Sequence, residues 1–158
     1  MAKLRLKDWA HIAEVVGGVA VILSLLFVGF QVRANTNEVR AANRQQLVGR
    51  AHAAVRGFAA DPQLANIIAR AGAGDSLSAA ERVQYGYVLR AVLYDVQEAF
   101  VLHGEGRLDD EFWLTRSALV NAYLSNPVAL DLYTRDRAQG TMLGEFTGWV
   151  DSMIVESR

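Results

Sequence analysis

The chain has 158 residues, 52% of them hydrophobic, with 16 Lys+Arg against 17 Asp+Glu and a net charge of −1. This balance offers no basic field for nucleic acid, and the absence of cysteine excludes disulfides, thiol catalysis and cysteine metal sites. The length suits one small domain beside one membrane segment.

Residues 1–11 form a basic tail with Lys3, Arg5 and Lys7. Residues 12–32, IAEVVGGVAVILSLLFVGFQV, follow, and no charge interrupts them from Val15 to Val32. At a rise of about 1.5 Å per residue they make a helix about 31 Å long, the thickness of a bilayer's hydrocarbon core. Lipid offers the backbone no hydrogen bonds, so the segment is expected to be a transmembrane helix. A cleaved signal peptide is the weaker reading, because the apolar run is too long and Arg33 sits inside the would-be cleavage site.

The span has two faces. Ile12, Val15, Val19, Ile22, Leu26 and Phe30 recur every three or four residues and suit lipid tails. Ala10, Ala13, Gly17, Ala20 and Ser24 recur on another face and are all small. Small residues let helices approach closely in a membrane, so this stripe is a candidate contact for another transmembrane helix, in a hetero-complex or a second copy. Glu14 lies one turn inside the apolar run, where a carboxylate is expensive; it is read as an interfacial acid near the helix start, or as a polar contact to a partner's cation, with His11 at i−3 as a local partner. Trp9 fits an aromatic belt and Arg33 the opposite boundary, both as interface anchors. Lys3, Arg5 and Lys7 on one side nearly balance Arg33, Arg40 and Arg44 on the other. The short tail is easier to retain than to translocate, which places the domain on the non-cytoplasmic side.

Residues 33–46, RANTNEVRAANRQQ, are polar almost all round and read as a helical neck, with Asn35-Thr36-Asn37 as the point where it would break or kink. Residues 47–158 read as a helical bundle. Leu47, Val48, Ala51, Ala54, Val55 and Phe58 have amphipathic spacing. Asp61-Pro62 caps and opens a second helix, which stops at Gly72-Ala73-Gly74. Ser78-Ala79-Ala80-Glu81 is a capping box for a helix running to His103 and ended by Gly104. On that helix Tyr85, Val88, Leu89, Val92, Val96, Ala99 and Phe100 form one stripe, and Tyr87, Tyr94 and Val101 a second. Two apolar faces predict a central helix buried on two sides. Asp109-Asp110-Glu111 opens the next helix as a cap, Asn126-Pro127 opens another, and Gly140 stops it. Met142 to Ile154 gives the last, with Met142, Phe146, Trp149, Val150 and Met153 facing the core.

No catalytic, cofactor or metal motif emerges. None of His11, His52 and His103 sits in a Glu-x-x-His arrangement, and the Gly-x-Gly stretches follow helices instead of opening them. Asp95 and Glu98, at i and i+3, read as a solvated pair before they read as a general acid and base. Tyr87, Tyr94 and Asp95 would mark a ligand pocket if the bundle held one.

The order AEVVGG, SLLFVGFQVRANT, DPQLA, SLSAAER and LHGEGRLDDEFW resembles a group of small bacterial proteins with one N-terminal span and a compact helical domain. The resemblance implies anchoring in the inner (cytoplasmic) membrane of a bacterium, with lipid as a partner, and carries no activity or site to transfer. The expectation is therefore an all-α protein: one transmembrane helix, a helical neck and a multi-helix bundle. Its function is expected to be non-catalytic, as an accessory or scaffolding subunit docked through its span on a larger membrane complex. The rivals are a self-associating sensor with a ligand-binding bundle, and an enzyme whose chemistry no motif reveals.

Overall fold

The computed structural model describes residues 6–156, and of residues 6–8, 10 and 156 the backbone alone. The tail cations Lys3 and Arg5 lie outside the described residues, as does the side chain of Lys7. The described chain is all-helical: α1 (Leu6–Ala60), α2 (Pro62–Gly72), α3 (Ala79–Gly104), α4 (Asp110–Leu124), α5 (Pro127–Ala138) and α6 (Gly144–Glu156). It divides into two units, residues 1–39 and residues 40–158.

The described part of the first unit is helix throughout. One 18-residue window of α1 has a mean hydropathy of 2.4, and none of it is buried. This helix is long and apolar enough to cross a membrane. The Asn35-Thr36-Asn37 stretch stays helical, with the Thr36 hydroxyl donating to the Val32 carbonyl at 2.9 Å; such back-bonding lets a polar residue sit in a helix without leaving it.

In the second unit local signals set the helix ends. Asp61 accepts from the N–H groups of Gln63 and Leu64, with Pro62 at the first helical position. Ser78 and Glu81 bond reciprocally: the Glu81 N–H donates to the Ser78 hydroxyl, and the Ser78 N–H donates to the Glu81 carboxylate at 2.8 Å. Asp109 and Asn126 cap α4 and α5 in the same way. Each cap satisfies N–H groups that the first helical turn leaves orphaned. At the other ends the left-handed residue is glycine, which has no Cβ to clash. Gly74 has φ +80°, and the N–H of Asp75 behind it reaches back to the Arg70 carbonyl. Gly106 does the same after α3, with φ +69° and the Arg107 N–H on the Leu102 carbonyl. Thus α3 ends at Gly104, as the sequence predicts, but Gly106 turns the chain.

Helix α3 is central. It packs on α2, α4 and α5, and α4 packs in turn on α5 and α6. One core cluster joins Ile67 of α2, Leu89 and Leu93 of α3, Val120 of α4, Tyr133 of α5 and Phe146 of α6. A smaller one joins Leu47 of α1 to Ala99 and Leu102 of α3 and to Leu108. Edge-on and tilted contacts among Phe100, Trp113, Phe146 and Trp149, at 5.0–6.0 Å between ring centroids, bind α3, α4 and α6. Polar ties hold α5: Arg90 grips Asp136 with two bonds, of 2.9 and 2.5 Å, between α3 and α5. The Tyr133 hydroxyl lies 3.0 Å from Asp151 Oδ1 and 3.2 Å from the Thr147 carbonyl. Burial, and then the Asp151 carboxylate, push the Tyr133 phenol up, so it stays a donor.

Three sequence expectations are corrected here. The face of α3 bearing Tyr87, Tyr94 and Val101 is exposed, with Tyr87 at 64%; the other helices cover the opposite side, and phenol rings tolerate water through their hydroxyls. Leu93 and Leu102 are buried in place of Val92 and Phe100, which are only partly covered. The compact unit also begins ahead of Leu47. Arg40 donates to the Gly106 carbonyl and Asn43 to that of Arg107, both at 3.0 Å, and Arg44 pairs with Asp109 at 3.8 Å. These side chains of the predicted neck serve the α3–α4 turn.

The capping box yields a test. Hydrogen bonds from Ser78, first its backbone N–H and then its hydroxyl, hold the Glu81 carboxyl below its ordinary 4.5, with Arg70 assisting. A depressed carboxylate contributes stability in full above its unfolded value and loses it as pH falls through the folded one. Ser78→Ala is expected to cost about 1 kcal/mol in denaturant unfolding of the full chain at pH 7. Glu81→Gln should flatten the loss of stability below pH 4.5; an unchanged acid limb would show that the box does not titrate with folding.

Candidate functional site

Between residues 50–58 of α1, the middle of α3 and the second half of α4 lies a cleft of about 410 Å³. Its cause is local. Ala51 and Ala54 on α1 and Ala91 and Val92 on α3 line it with short side chains, which leave space that longer ones would fill. Phe58, Leu119 and Tyr123 complete the apolar wall, and Tyr94 also lines it.

The charges gather at one end. Arg50 of α1 bonds Glu98 of α3, and Arg116 of α4 pairs with Asp95 of α3 at 3.1 Å. Arg50 and Arg116 precede the apolar lining residues of their helices, and Asp95 and Glu98 follow those of α3. The arginines therefore meet the acids at one mouth, and Phe58, Ala91 and Tyr123 mark the other. The Arg116–Asp95 pair is largely buried, with side-chain exposures of 12% and 15%. An arginine and a carboxylate can form a two-bonded fork, but here Arg116 and Asp95 meet as an ion pair through one nitrogen and one oxygen. Asp95 Oδ1 and Arg116 Nε are buried without a hydrogen-bond partner in the described chain. The Arg116 guanidinium rests 4.9 Å from the centre of the Phe112 ring. Burial pushes the Asp95 carboxyl up, and Arg116, then Arg50, pull it back without overcoming burial.

The expectation of a solvated Asp95–Glu98 pair therefore fails. Each acid is held by an arginine from another helix, and Asp95 is mostly dry. Of the three residues read as pocket markers, Tyr94 and Asp95 line the cleft. Tyr87 lies elsewhere, 5.7 Å from the Arg90 guanidinium. Sequence reasoning did not single out Arg50, Ala51, Ala54 and Arg116 as a set. A signal for Arg116 was present: it falls at i+4 from Phe112 and i−4 from Val120, a core position, where a cation requires a buried counter-charge.

The residues read from the span lie in the first unit. Ala13, Gly17, Ala20 and Ser24 are exposed, as are Trp9, Glu14 and Arg33; the side chain of Ala10 lies outside the described residues. A Cβ built on Gly17 meets nothing within 4 Å. The Ser24 hydroxyl donates to the Ala20 carbonyl at 2.8 Å, so the small face carries no unsatisfied donor there. Glu14 has His11 Nδ1 at 3.7 Å, with both side chains exposed. Among the described residues no group of three or more metal-binding side chains converges. No family model, curated protein or solved structure matches the chain.

Because its carboxyl is raised above the ordinary 3.8, Asp95 binds its proton more tightly in the folded chain than in the unfolded one. Its contribution to stability is therefore full at low pH and falls as pH rises through the raised value. Arg116→Met removes the larger opposing cation. Carbon-13 titration of the full chain should find the Asp95 carboxyl shifted further up, with a loss of about 3 kcal/mol at pH 7 from breaking a buried pair. An unmoved titration would show that Arg116 does not set the state of Asp95.

Proposed function

We propose that the chain is a single-pass protein of a bacterial inner membrane, with the apolar part of α1 across the bilayer and the helical bundle on the non-cytoplasmic side. The observation that carries this reading is the 18-residue window of mean hydropathy 2.4, none of it buried. Water would charge roughly 25 cal/mol for every Å² of that surface, whereas lipid tails would not.

Its role is non-catalytic: an accessory or scaffolding subunit that docks on a larger membrane complex. Ala10, Ala13, Gly17, Ala20 and Ser24 form the docking face, Glu14 makes a polar contact near the interface, and Trp9 and Arg33 set the depth of the helix. The cleft favours a second reading, in which the bundle of a self-associating membrane protein receives a small ligand between α1, α3 and α4.

Washing native membranes with alkaline carbonate should leave the chain in the pellet; release into the supernatant would overturn the membrane reading. After gentle detergent extraction the chain should co-migrate with a larger assembly. Gly17→Leu, which places a large side chain on the small face, should reduce that co-migration at least fivefold. Undiminished co-purification would argue against docking through this face.

A further inference from the structure

The cleft combines a balanced set of charges with an apolar body. Two arginines and two carboxylates share one end, paired across helices. A guest bearing a single charge would satisfy one sign and leave the other in excess in a partly dry site, which is costly. A guest with both signs leaves the balance intact. The incomplete Arg116–Asp95 fork makes the same demand atom by atom. Asp95 Oδ1 lacks a donor and Arg116 Nε lacks an acceptor. Both residues line the cleft, so a guest inside reaches these atoms once the two side chains turn.

The apolar part sets the rest of the molecule. Ala51, Ala54, Phe58, Val92 and Leu119 offer no polar side-chain atom, so the body of the guest is hydrocarbon. A volume of about 410 Å³ lies at the small end of ligand sites and holds one compact side chain with its head. Two acyl chains would not fit.

We propose that this cleft binds a free α-amino acid with a large apolar side chain. Its carboxylate lies against Arg50 and Arg116, its ammonium against Asp95 and Glu98, and its side chain among the alanines. An α-amino acid is the compact form of this chemistry, because donor and acceptor stand on one carbon, as the two unpaired atoms of the fork require. The inference rests on the reading of the bundle as a ligand-binding module and names the class of ligand.

The test uses the full chain in nanodiscs of phosphatidylglycerol, which brings no zwitterion of its own. Three probes share one apolar body: L-phenylalanine with both charges, 3-phenylpropanoate with the negative charge alone, and phenethylamine with the positive charge alone. Titration by saturation-transfer NMR should show phenylalanine binding at least tenfold tighter than either analogue. Asp95→Asn should weaken phenylalanine at least tenfold. Ala54→Phe, which fills the apolar end and leaves every charge in place, should abolish binding while the helical circular dichroism is kept. Equal binding of an analogue, or phenylalanine binding untouched by Asp95→Asn, would overturn the amino-acid assignment and leave the cleft as a binding site. Failure of all three probes to bind would overturn both.

Discussion

Leu89, Leu93, Val96 and Ala99 of α3 have no exposed surface at all. Burying a leucine or valine fully is worth about 1.5–3 kcal/mol, and these positions are buried only because α1, α2, α4, α5 and α6 supply the surfaces around them. The spacing of the four along α3 keeps them on one side of the helix, so its neighbours gather on that side. The exposed Tyr87 and Tyr94 follow from this asymmetry: the neighbouring helices close one face of α3 and leave the other to water. The cleft follows as well. Where α1 and α4 flank α3, residues 51 and 54 are too short to close the gap, and the charges at its mouth hold the three helices together across it.

The polar architecture divides by depth. At the rim, Arg82–Asp131 and Arg135–Asp131 are open to solvent, and pairs of that kind contribute little. Deeper, Arg90–Asp136 forms a full fork, with the aspartate 9% exposed. Arg116–Asp95 is about as dry, but it is an ion pair that leaves Asp95 Oδ1 and Arg116 Nε without hydrogen-bond partners. The contrast between these two buried pairs, one saturated and one not, distinguishes a structural clasp from a site with bonding capacity left over.

Sequence and structure agree where information is local. Asp61, Ser78, Asp109 and Asn126 were legible as caps because a cap is decided within three or four residues. The apolar run of α1 was legible because its meaning depends on length and composition alone. What was hidden depends on partners distant in the chain. Nothing near Asp95 shows that Arg116 will reach it, and nothing near Tyr87 shows that no helix will cover it. The choice between Val92 and Leu93 is of the same kind: Leu93 is enclosed, while Val92 lines the cleft and is only partly covered. The small-residue stripe of α1 was legible as a pattern, and Ala13, Gly17, Ala20 and Ser24 are exposed along it.

The unit's contacts start at Arg40, ahead of the first apolar residue of the bundle. Arg40 and Asn43 satisfy the carbonyls of Gly106 and Arg107, the backbone groups that the sharp turn after α3 leaves pointing outward. Scission of the chain beside Arg33 would leave every one of these bonds in place and release an intact bundle. Scission a few turns later, beside Arg44, would strip two carbonyls of their donors and detach the segment that braces the α3–α4 corner. The two cuts lie about three turns apart on one helix.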